Sequence, residues 1–178
     1  MPRNPLSTLS IHPACNADLP AILRIQSRCY TAIVPESAQS MGAKLAASPA
    51  TCFVARRAGE VVAYLLALPW RFDHPPHLDA PDCVLPDAPD TLYLHDLAVD
   101  PAARGSGASQ ALVQAFFAAL TESGIGRASL IAIQGSAPWW EGHGFRAALT
   151  TPTLDARLAG YGSDVRYMSR QSDTARSS

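Results

Sequence analysis

The first half of the chain combines strand-like and helix-like patterns of apolar residues. Leu19, Ile22 and Leu23 recur at helical spacing after a capping Asn16 or Asp18. Two apolar runs on either side of an Ala58-Gly59 turn indicate an antiparallel hairpin. The elements predicted here are a strand over 8–13, a helix ending near Tyr30, a helix over 36–47, and strands over 51–56 and 60–70.

The second half holds a long polar segment and then alternating strands and helices. Residues 71–90 contain five prolines, five aspartates and two histidines, which predicts an irregular loop. Its aspartates either attract a cationic substrate or simply solvate the surface. The elements predicted after it are strands over 91–99, 127–134, 145–149 and 164–169, and helices up to 122 and over 137–143. This order predicts an α/β fold with a mixed, mostly antiparallel central sheet flanked by helices.

Composition limits the classes of function. A chain of 178 residues with 48% hydrophobic residues fits a single domain with a substantial core. The formal net charge of −1 argues against a nucleic-acid or membrane-surface partner. No apolar run approaches the ~18 residues that a spanning helix needs.

The cysteines point to a reducing compartment. Cys15, Cys29, Cys52 and Cys83 show no C-x-x-C spacing, so we expect free thiols, with Cys29 and Cys52 in the core. The first ten residues lack the apolar region of a secretory signal. We therefore expect a cytoplasmic protein, with a flexible polar tail over 171–178.

Small residues between a strand and a helix form the most informative segment. After Asp100-Pro101 come Arg104, Gly105, Ser106, Gly107, Ala108 and Ser109, and a helical pattern follows. Backbone N–H groups at such a helix start, together with the helix dipole, favour a phosphate. The two glycines let the backbone approach a bulky anion, and Arg104 adds a charge-assisted contact.

The loop belongs to neither of two common nucleotide motifs. A Walker A motif would end in Gly-Lys-Ser/Thr, and a Rossmann fingerprint would need glycine at Gln110. Without Mg²⁺, backbone donors alone can hold a diphosphate. The alternative is an ordinary strand-to-helix turn.

Two blocks give the chain its family resemblance. Residues 104–109 resemble the R/Q-x-x-G-x-G/A acyl-CoA motif of the GNAT N-acetyltransferases, with Ser109 replacing the last Gly or Ala. Residues 137–145 resemble the family's A-x-x-F-Y-E-x-x-G-F block, with Trp139 and Trp140 as the aromatic pair. The resemblance extends over residues 9–170, and it implies the GNAT fold, with acetyl-CoA as cosubstrate. Asp73, His74 and His77 suggest a metal site, but their spacing is broken by prolines and gives no ligand geometry, so we expect no metal.

The resemblance also assigns roles in the preceding strand. It implies a splayed strand at Leu97, Ala98 and Val99, whose backbone binds the pantetheine arm and the thioester carbonyl. The family often places a carboxylate base just upstream, so Asp96 is the first candidate and His95 the second. Their side chains point to opposite faces of the strand. The alternative is that Asp96 merely bonds a neighbouring loop and His95 is satisfied on its own face.

One departure from the family concerns the general acid. The usual Tyr is Trp140, whose indole N–H donates a hydrogen bond but no proton. Water, Ser136, Tyr93 or Tyr167 remain as sources of the proton. We expect Trp140 along the cofactor arm and Trp139 in the core.

The resulting hypothesis is an N-acetyltransferase acting on a primary amine of a small molecule or a protein. No cysteine lies beside the loop in the sequence, which favours direct attack in a ternary complex. The alternative is a non-catalytic acyl-CoA sensor. We expect a monomer or homodimer.

Overall fold

The computed structural model describes residues 8–31 and 33–173. The strands and helices follow in chain order: β1 Leu9–Pro13, α1 Leu19–Cys29, α2 Ala38–Ala47, β2 Cys52–Arg57, β3 Glu60–Trp70, β4 Thr91–Val99, α3 Ala108–Ser123, β5 Arg127–Ala132, α4 Ala137–Gly142, β6 Arg146–Ala147, α5 Pro152–Leu158 and β7 Arg166–Gln171. Two segments for which the sequence makes predictions lie partly outside this description. They are the N-terminal segment without a secretory signal, at residues 1–7, and the tail, at residues 174–178.

The strands form a mixed sheet in the order β1-β2-β3-β4-β5-β7-β6. Strands β4 and β5 pair in parallel, and β1–β2, β2–β3, β5–β7 and β6–β7 pair antiparallel. The predicted fold class is confirmed, and so is the β2–β3 hairpin, which has a register shift at Ala55/Arg56.

The chain divides into two compact units. The first contains Met1–Ala67, Leu78–Val84 and Asp96–Ala119, and the second contains Leu68–His77, Leu85–His95 and Leu120–Ser178. Along the chain, β3 and β4 each pass from one unit to the other.

The core of the first unit follows the helical pattern of the sequence. Ile22 and Ile25 of α1 are fully buried with Met41 of α2 and Val54 of β2. Burial of each such side chain stabilises the fold by about 1.5–3 kcal/mol. Helix α2 begins after Ser37, whose Oγ accepts a hydrogen bond from the Ser40 N–H at 3.2 Å.

The second unit contains a helix that the sequence did not predict. Helix α5 begins after Thr151, whose Oγ1 accepts a bond from the Leu154 N–H at 3.2 Å. Its buried Leu154 and Leu158 pack in one cluster with Tyr93 and Tyr167. Because α5 is short and opens with proline, its apolar period is too brief to recognise in the sequence.

Several loop residues between β3 and β4 are held by hydrogen bonds. In the second unit, the Asp90 N–H donates to the Trp70 carbonyl at 3.0 Å, and Arg157 donates to the Pro75 carbonyl at 2.9 Å. In the first unit, Asp79 accepts from the Ser37 N–H at 2.7 Å. The segment is irregular, as predicted, yet it is anchored to secondary structure at these points.

Some predicted element limits differ from the structure. Strand β5 ends at Ala132, because Gln134 adopts a positive φ of 52° that ends the extended run. Strand β7 continues to Gln171, and the Ser172 N–H donates to the Gly126 carbonyl at 2.8 Å. Gln171 and Ser172 therefore belong to the fold and not to the predicted flexible tail.

Candidate functional site

The end of β4 is held in place before the loop begins. The Asp100 N–H donates to the Val62 carbonyl at 2.8 Å, which keeps the strand end attached to β3. The Asp100 carboxylate accepts bonds from the Ala102 N–H at 3.0 Å and from Arg28 at 2.9 Å. The bond from the Ala102 N–H, with that from Arg28 after it, lowers the pKa of Asp100 below its usual value.

The two loop glycines adopt a conformation that other residues rarely take. Gly105 has φ 77° and Gly107 has φ 84°, and a Cβ at either position would meet no atom within 4 Å. The Gly107 carbonyl accepts from the Ala111 N–H at 3.1 Å, so α3 starts directly after the loop. The N–H groups of Ala108 and Ser109, in the first turn, have no acceptor within the helix.

One hydroxyl in the loop is buried and unpaired within the described part of the chain. The Oγ of Ser106 is buried, and no hydrogen-bond partner for it exists among the described residues. Buried polar atoms are normally paired, so this one fits a ligand oxygen. The open space at the glycines, the N–H groups at the start of α3 and the Ser106 hydroxyl together match what a diphosphate needs, and Arg104 is exposed beside them.

A cysteine does lie near the loop, contrary to our expectation. The Cys29 thiol, at the end of α1, donates to the Val99 carbonyl at 3.1 Å. Burial raises the pKa of this thiol, and the nearby Arg104 opposes the increase in part. The sequence did not show this because Cys29 and Val99 are 70 positions apart. The absence of a nearby cysteine is therefore no longer an argument for direct transfer.

Two phenols bind the Asp96 carboxylate. Tyr30, just after α1, donates to one oxygen at 2.5 Å, and Tyr64 of β3 donates to the other at 2.6 Å. Burial, and then the Asp96 charge, raises the pKa of both tyrosines well above the usual value. Tyr30 belongs to the connection that follows α1, as the alternative of a loop partner allows, whereas Tyr64 lies within β3.

The neighbouring strand residues divide between the two faces of β4. His95 lies with Tyr93, their ring centroids 6.0 Å apart, which agrees with alternation along the strand. Ala98 is buried, while Leu97 and Val99 are partly exposed. Both the Leu97 and Val99 carbonyls accept bonds from the end of α1, at 3.2 Å from Tyr30 and 3.1 Å from Cys29.

In the aromatic pair of the second unit, the prediction that Trp139 lies in the core is wrong. Trp139, which we placed in the core, is 37% exposed, whereas Trp140 is only 6% exposed. Consecutive helical residues point about 100° apart, so a short surface helix buries one of them. Trp140 packs edge-on against Trp139, with centroids 4.6 Å apart, and against Phe145 at 5.5 Å.

Other candidate groups in the second unit have defined structural contacts. The Tyr167 hydroxyl donates to the Phe72 carbonyl, and burial raises the pKa of Tyr167 to about 12. Tyr93 is only 1% exposed. Both observations weaken these tyrosines as proton donors to a thiolate.

Three of the five loop aspartates are paired with other residues of the protein. Asp79 accepts from Ser37, Asp73 lies 2.9 Å from His74, and Asp90 lies 3.2 Å from Arg127. These pairings weaken the idea that the loop attracts a cationic amine. Within residues 8–31 and 33–173, no group of three or more His, Cys, Asp or Glu side chains is placed to hold a metal ion.

The match to a protein-family model decides the family. Residues 19–145 match the model described as the acetyltransferase (GNAT) family. The chain belongs to the GNAT family. The matched region includes α1, the glycine loop and the block with Trp139 and Trp140.

Solved structures share this GNAT fold at low sequence identity. The ribosomal-protein-S18-alanine N-acetyltransferase from Escherichia coli is 21% identical, with a TM-score of 0.63 over 93% of this chain and 94% of that chain. YncA from Salmonella typhimurium, solved with its cofactor acetyl-CoA, is 18% identical, with a TM-score of 0.66 over 93% and 94%. The GphF GNAT-like decarboxylase in complex with isobutyryl-CoA is 19% identical, with a TM-score of 0.68 over 91% and 98%. No curated protein matches the chain.

These comparisons support acyl-CoA-dependent acyl transfer in general terms. Both CoA-ligand structures share the fold, but one of them is a decarboxylase, so the fold alone does not fix the reaction. No helix among the described residues is long and apolar enough to cross a membrane.

Sequence reasoning missed both phenols that bind Asp96. Tyr64 carried a weak signal, because it is the one polar-tipped residue in the continuous apolar run 61–69. A buried tyrosine normally finds a partner for its hydroxyl. Tyr30 carried no such signal, since it follows the last turn of a helix.

Proposed function

We propose that this GNAT protein transfers an acetyl group from acetyl-CoA to a primary amine. The observation that carries the proposal is the loop between β4 and α3. Two positive-φ glycines with open space at their Cβ positions lie there on either side of Ser106, whose buried hydroxyl has no hydrogen-bond partner among the described residues. The backbone N–H groups of Gly105, Gly107, Ala108 and Ser109, the Ser106 hydroxyl and the Arg104 side chain would hold the diphosphate. The Ser106 N–H itself donates to the Ala103 carbonyl at 3.2 Å.

The proposed chemistry uses residues of β4. The backbone of Leu97, Ala98 and Val99 would bind the pantetheine arm and polarise the thioester carbonyl. Asp96 would take the proton from the attacking amine, directly or through one water, with His95 as the second candidate. The amine nitrogen forms the new C–N bond, and the C–S bond breaks.

The leaving thiolate needs no dedicated acid in this proposal. A thiol with a pKa of about 8.5 leaves readily, and water can supply its proton. This removes the main difficulty raised by Trp140, which we propose lies along the cofactor arm. The acceptor belongs to a small molecule or to a protein, and we propose a cytoplasmic location and a monomer or homodimer.

The second candidate is an acyl-CoA sensor without turnover. It is favoured by Trp140, which replaces the tyrosine that serves as general acid in many family members. Both candidates require the loop to bind CoA, so binding alone does not separate them.

The test measures binding and thiol release on the same preparation. Calorimetry with CoA and acetyl-CoA measures affinity, and a thiol reagent measures CoA release with a panel of small amines and peptide amines. Thiol release that depends on an amine, with an acetylated product seen by mass spectrometry, supports the transferase. Binding without release from any amine supports the sensor, and no binding of either ligand contradicts both.

A further inference from the structure

The Asp96 carboxylate, at the end of β4 proposed to face the acceptor, is bound by two tyrosine hydroxyls. One phenol binds each oxygen, at 2.5 Å from Tyr30 and 2.6 Å from Tyr64. The two donors come from different elements, one after α1 and one within β3. With both oxygens held, the plane of the carboxylate is fixed.

We propose that Tyr30 and Tyr64 are positioning residues for the acyl transfer, which together orient the Asp96 carboxylate and keep it ionised. This inference rests on the proposed function, because it assigns how the proposed base is prepared. Neither tyrosine is assigned a contact with substrate.

The chemistry of the donors supports the ionised form. A phenol O–H that donates to a carboxylate stabilises its charged form, and two donors do so more than one. Burial, and then the Asp96 charge, raises the pKa of both tyrosines well above the usual value, so both keep the proton they donate at neutral pH.

The two tyrosines have different positions. Tyr64 is fully buried in the core of the first unit. Tyr30 is partly exposed, and its single O–H proton, donated to Asp96 at 2.5 Å, is shared with the Leu97 carbonyl at 3.2 Å. Tyr30 therefore links the carboxylate to the strand segment that the proposed function assigns to the thioester.

The titratable groups around Asp96 contribute to the pH dependence of the proposed activity. Cys29 and Tyr30 face Asp96 from the end of α1, and Tyr64 faces it from β3. Glu36 acts on Tyr30 through its charge. His95 is the next residue on β4, and its side chain points to the opposite face.

The first test needs no activity. In protein labelled with ¹³C at tyrosine Cζ, Asp96→Asn removes the charge beside both phenols, and its amide nitrogen cannot accept from either. We expect the Tyr30 and Tyr64 signals to move, while the Tyr161 signal stays, because its hydroxyl donates to the Pro76 carbonyl. Unmoved Tyr30 and Tyr64 signals would overturn the proposal.

The second test is the pH profile of kcat/KM for Tyr30→Phe, Tyr64→Phe and the double variant. Without a phenol donor the carboxylate is protonated more easily, so activity is lost at a higher pH on the acid side. We expect the acid limb to move up by about one pH unit per phenol, the effect of losing one hydrogen bond to a charged group. Tyr161→Phe is the matched control and should follow the wild type.

The outcomes separate the inference from the proposed function. If the wild type releases no thiol with any amine, the proposed function fails, and the tyrosine signals still decide whether the phenols bind Asp96. If the enzyme is active and all profiles superimpose, the two tyrosines are only structural and the inference fails. If Tyr64→Phe does not fold, the pH profile of Tyr30→Phe still tests the inference, because Tyr30 is partly exposed.

Discussion

The glycine loop provides the sharpest test of the binding site, because the chain contains a matched control. Gly107 has φ 84°, and Gly59, in the β2–β3 hairpin, has φ 83°. A Cβ at either position would meet no atom within 4 Å. Gly107→Ala and Gly59→Ala therefore impose the same backbone strain and the same freedom from protein clashes.

The expected loss of stability is equal in the two variants. An L-residue in the left-handed region costs about 1–2 kcal/mol. For a chain of this size each kcal/mol lowers Tm by about 2–4 °C, so we expect both variants to melt about 2–8 °C below the wild type.

The expected loss of CoA affinity is confined to one variant. The Cβ of Gly107→Ala enters the space assigned to the diphosphate and displaces it from at least one N–H donor. A hydrogen bond to a charged group contributes about 1.5–3 kcal/mol, which corresponds to a Kd about 10- to 150-fold weaker. Gly107→Trp, which fills the space, should abolish binding.

Calorimetric titration with CoA at fixed ionic strength, together with thermal unfolding, measures both quantities. If Gly107→Ala binds CoA as tightly as Gly59→Ala does, the loop is an ordinary turn and the binding site lies elsewhere. If both variants lose affinity equally, the loss reflects general destabilisation and the reasoning from the Cβ position is wrong.

Three further predictions concern the proposed base and two buried groups. Asp96→Asn should lower kcat/KM by about 10²-fold or more with unchanged CoA affinity; near-wild-type turnover would transfer the role to His95 or to solvent. Burial raises the pKa of Cys52 from 9.0 to about 12, so the folded state keeps its proton. The stabilisation is present below pH 9 and is lost as pH rises to about 12, at up to ~1.4 kcal/mol per pH unit. In denaturant unfolding at pH 7 to 10.5, Cys52→Ala should lose less stability with pH than the wild type, and parallel losses would contradict the prediction. Glu36→Gln leaves Lys44, 3.3 Å away and 2% exposed, without its counter-charge. Glu36→Gln should lower the free energy of unfolding by about 3–5 kcal/mol, and adding Lys44→Met should restore most of that loss. If the double variant is as unstable as Glu36→Gln alone, the unpaired charge of Lys44 is not the cause.

The predicted elements that agree with the structure depend on local rules. The β2–β3 hairpin follows from two apolar runs and the Ala58-Gly59 turn, whose residues both have positive φ. The glycine loop and the start of α3 follow from residue size and backbone freedom over a few positions. Such signals are complete within a short segment, so one sequence is enough to recognise them.

The contacts that the sequence did not show join distant positions. Tyr30 and Asp96 are 66 positions apart, and Cys29 and Val99 are 70 apart. No periodicity connects such residues, because their contact depends on how α1 packs beside β4. The order of burial in the Trp139-Trp140 pair is likewise set by packing, since both residues are large, aromatic and suited to a core.

The end of α1 connects the two parts of the proposed site within the first unit. Arg28 bonds to Asp100, Cys29 to the Val99 carbonyl, and Tyr30 to Asp96 and the Leu97 carbonyl. Three consecutive residues therefore bond to four of the five positions 96–100 that lead into the glycine loop. Because the same helix end fixes the carboxylate and the start of the loop, a substitution there should alter CoA affinity and the acid limb of the pH profile together. The loop glycines, which bear no such bond to α1, should alter the affinity alone.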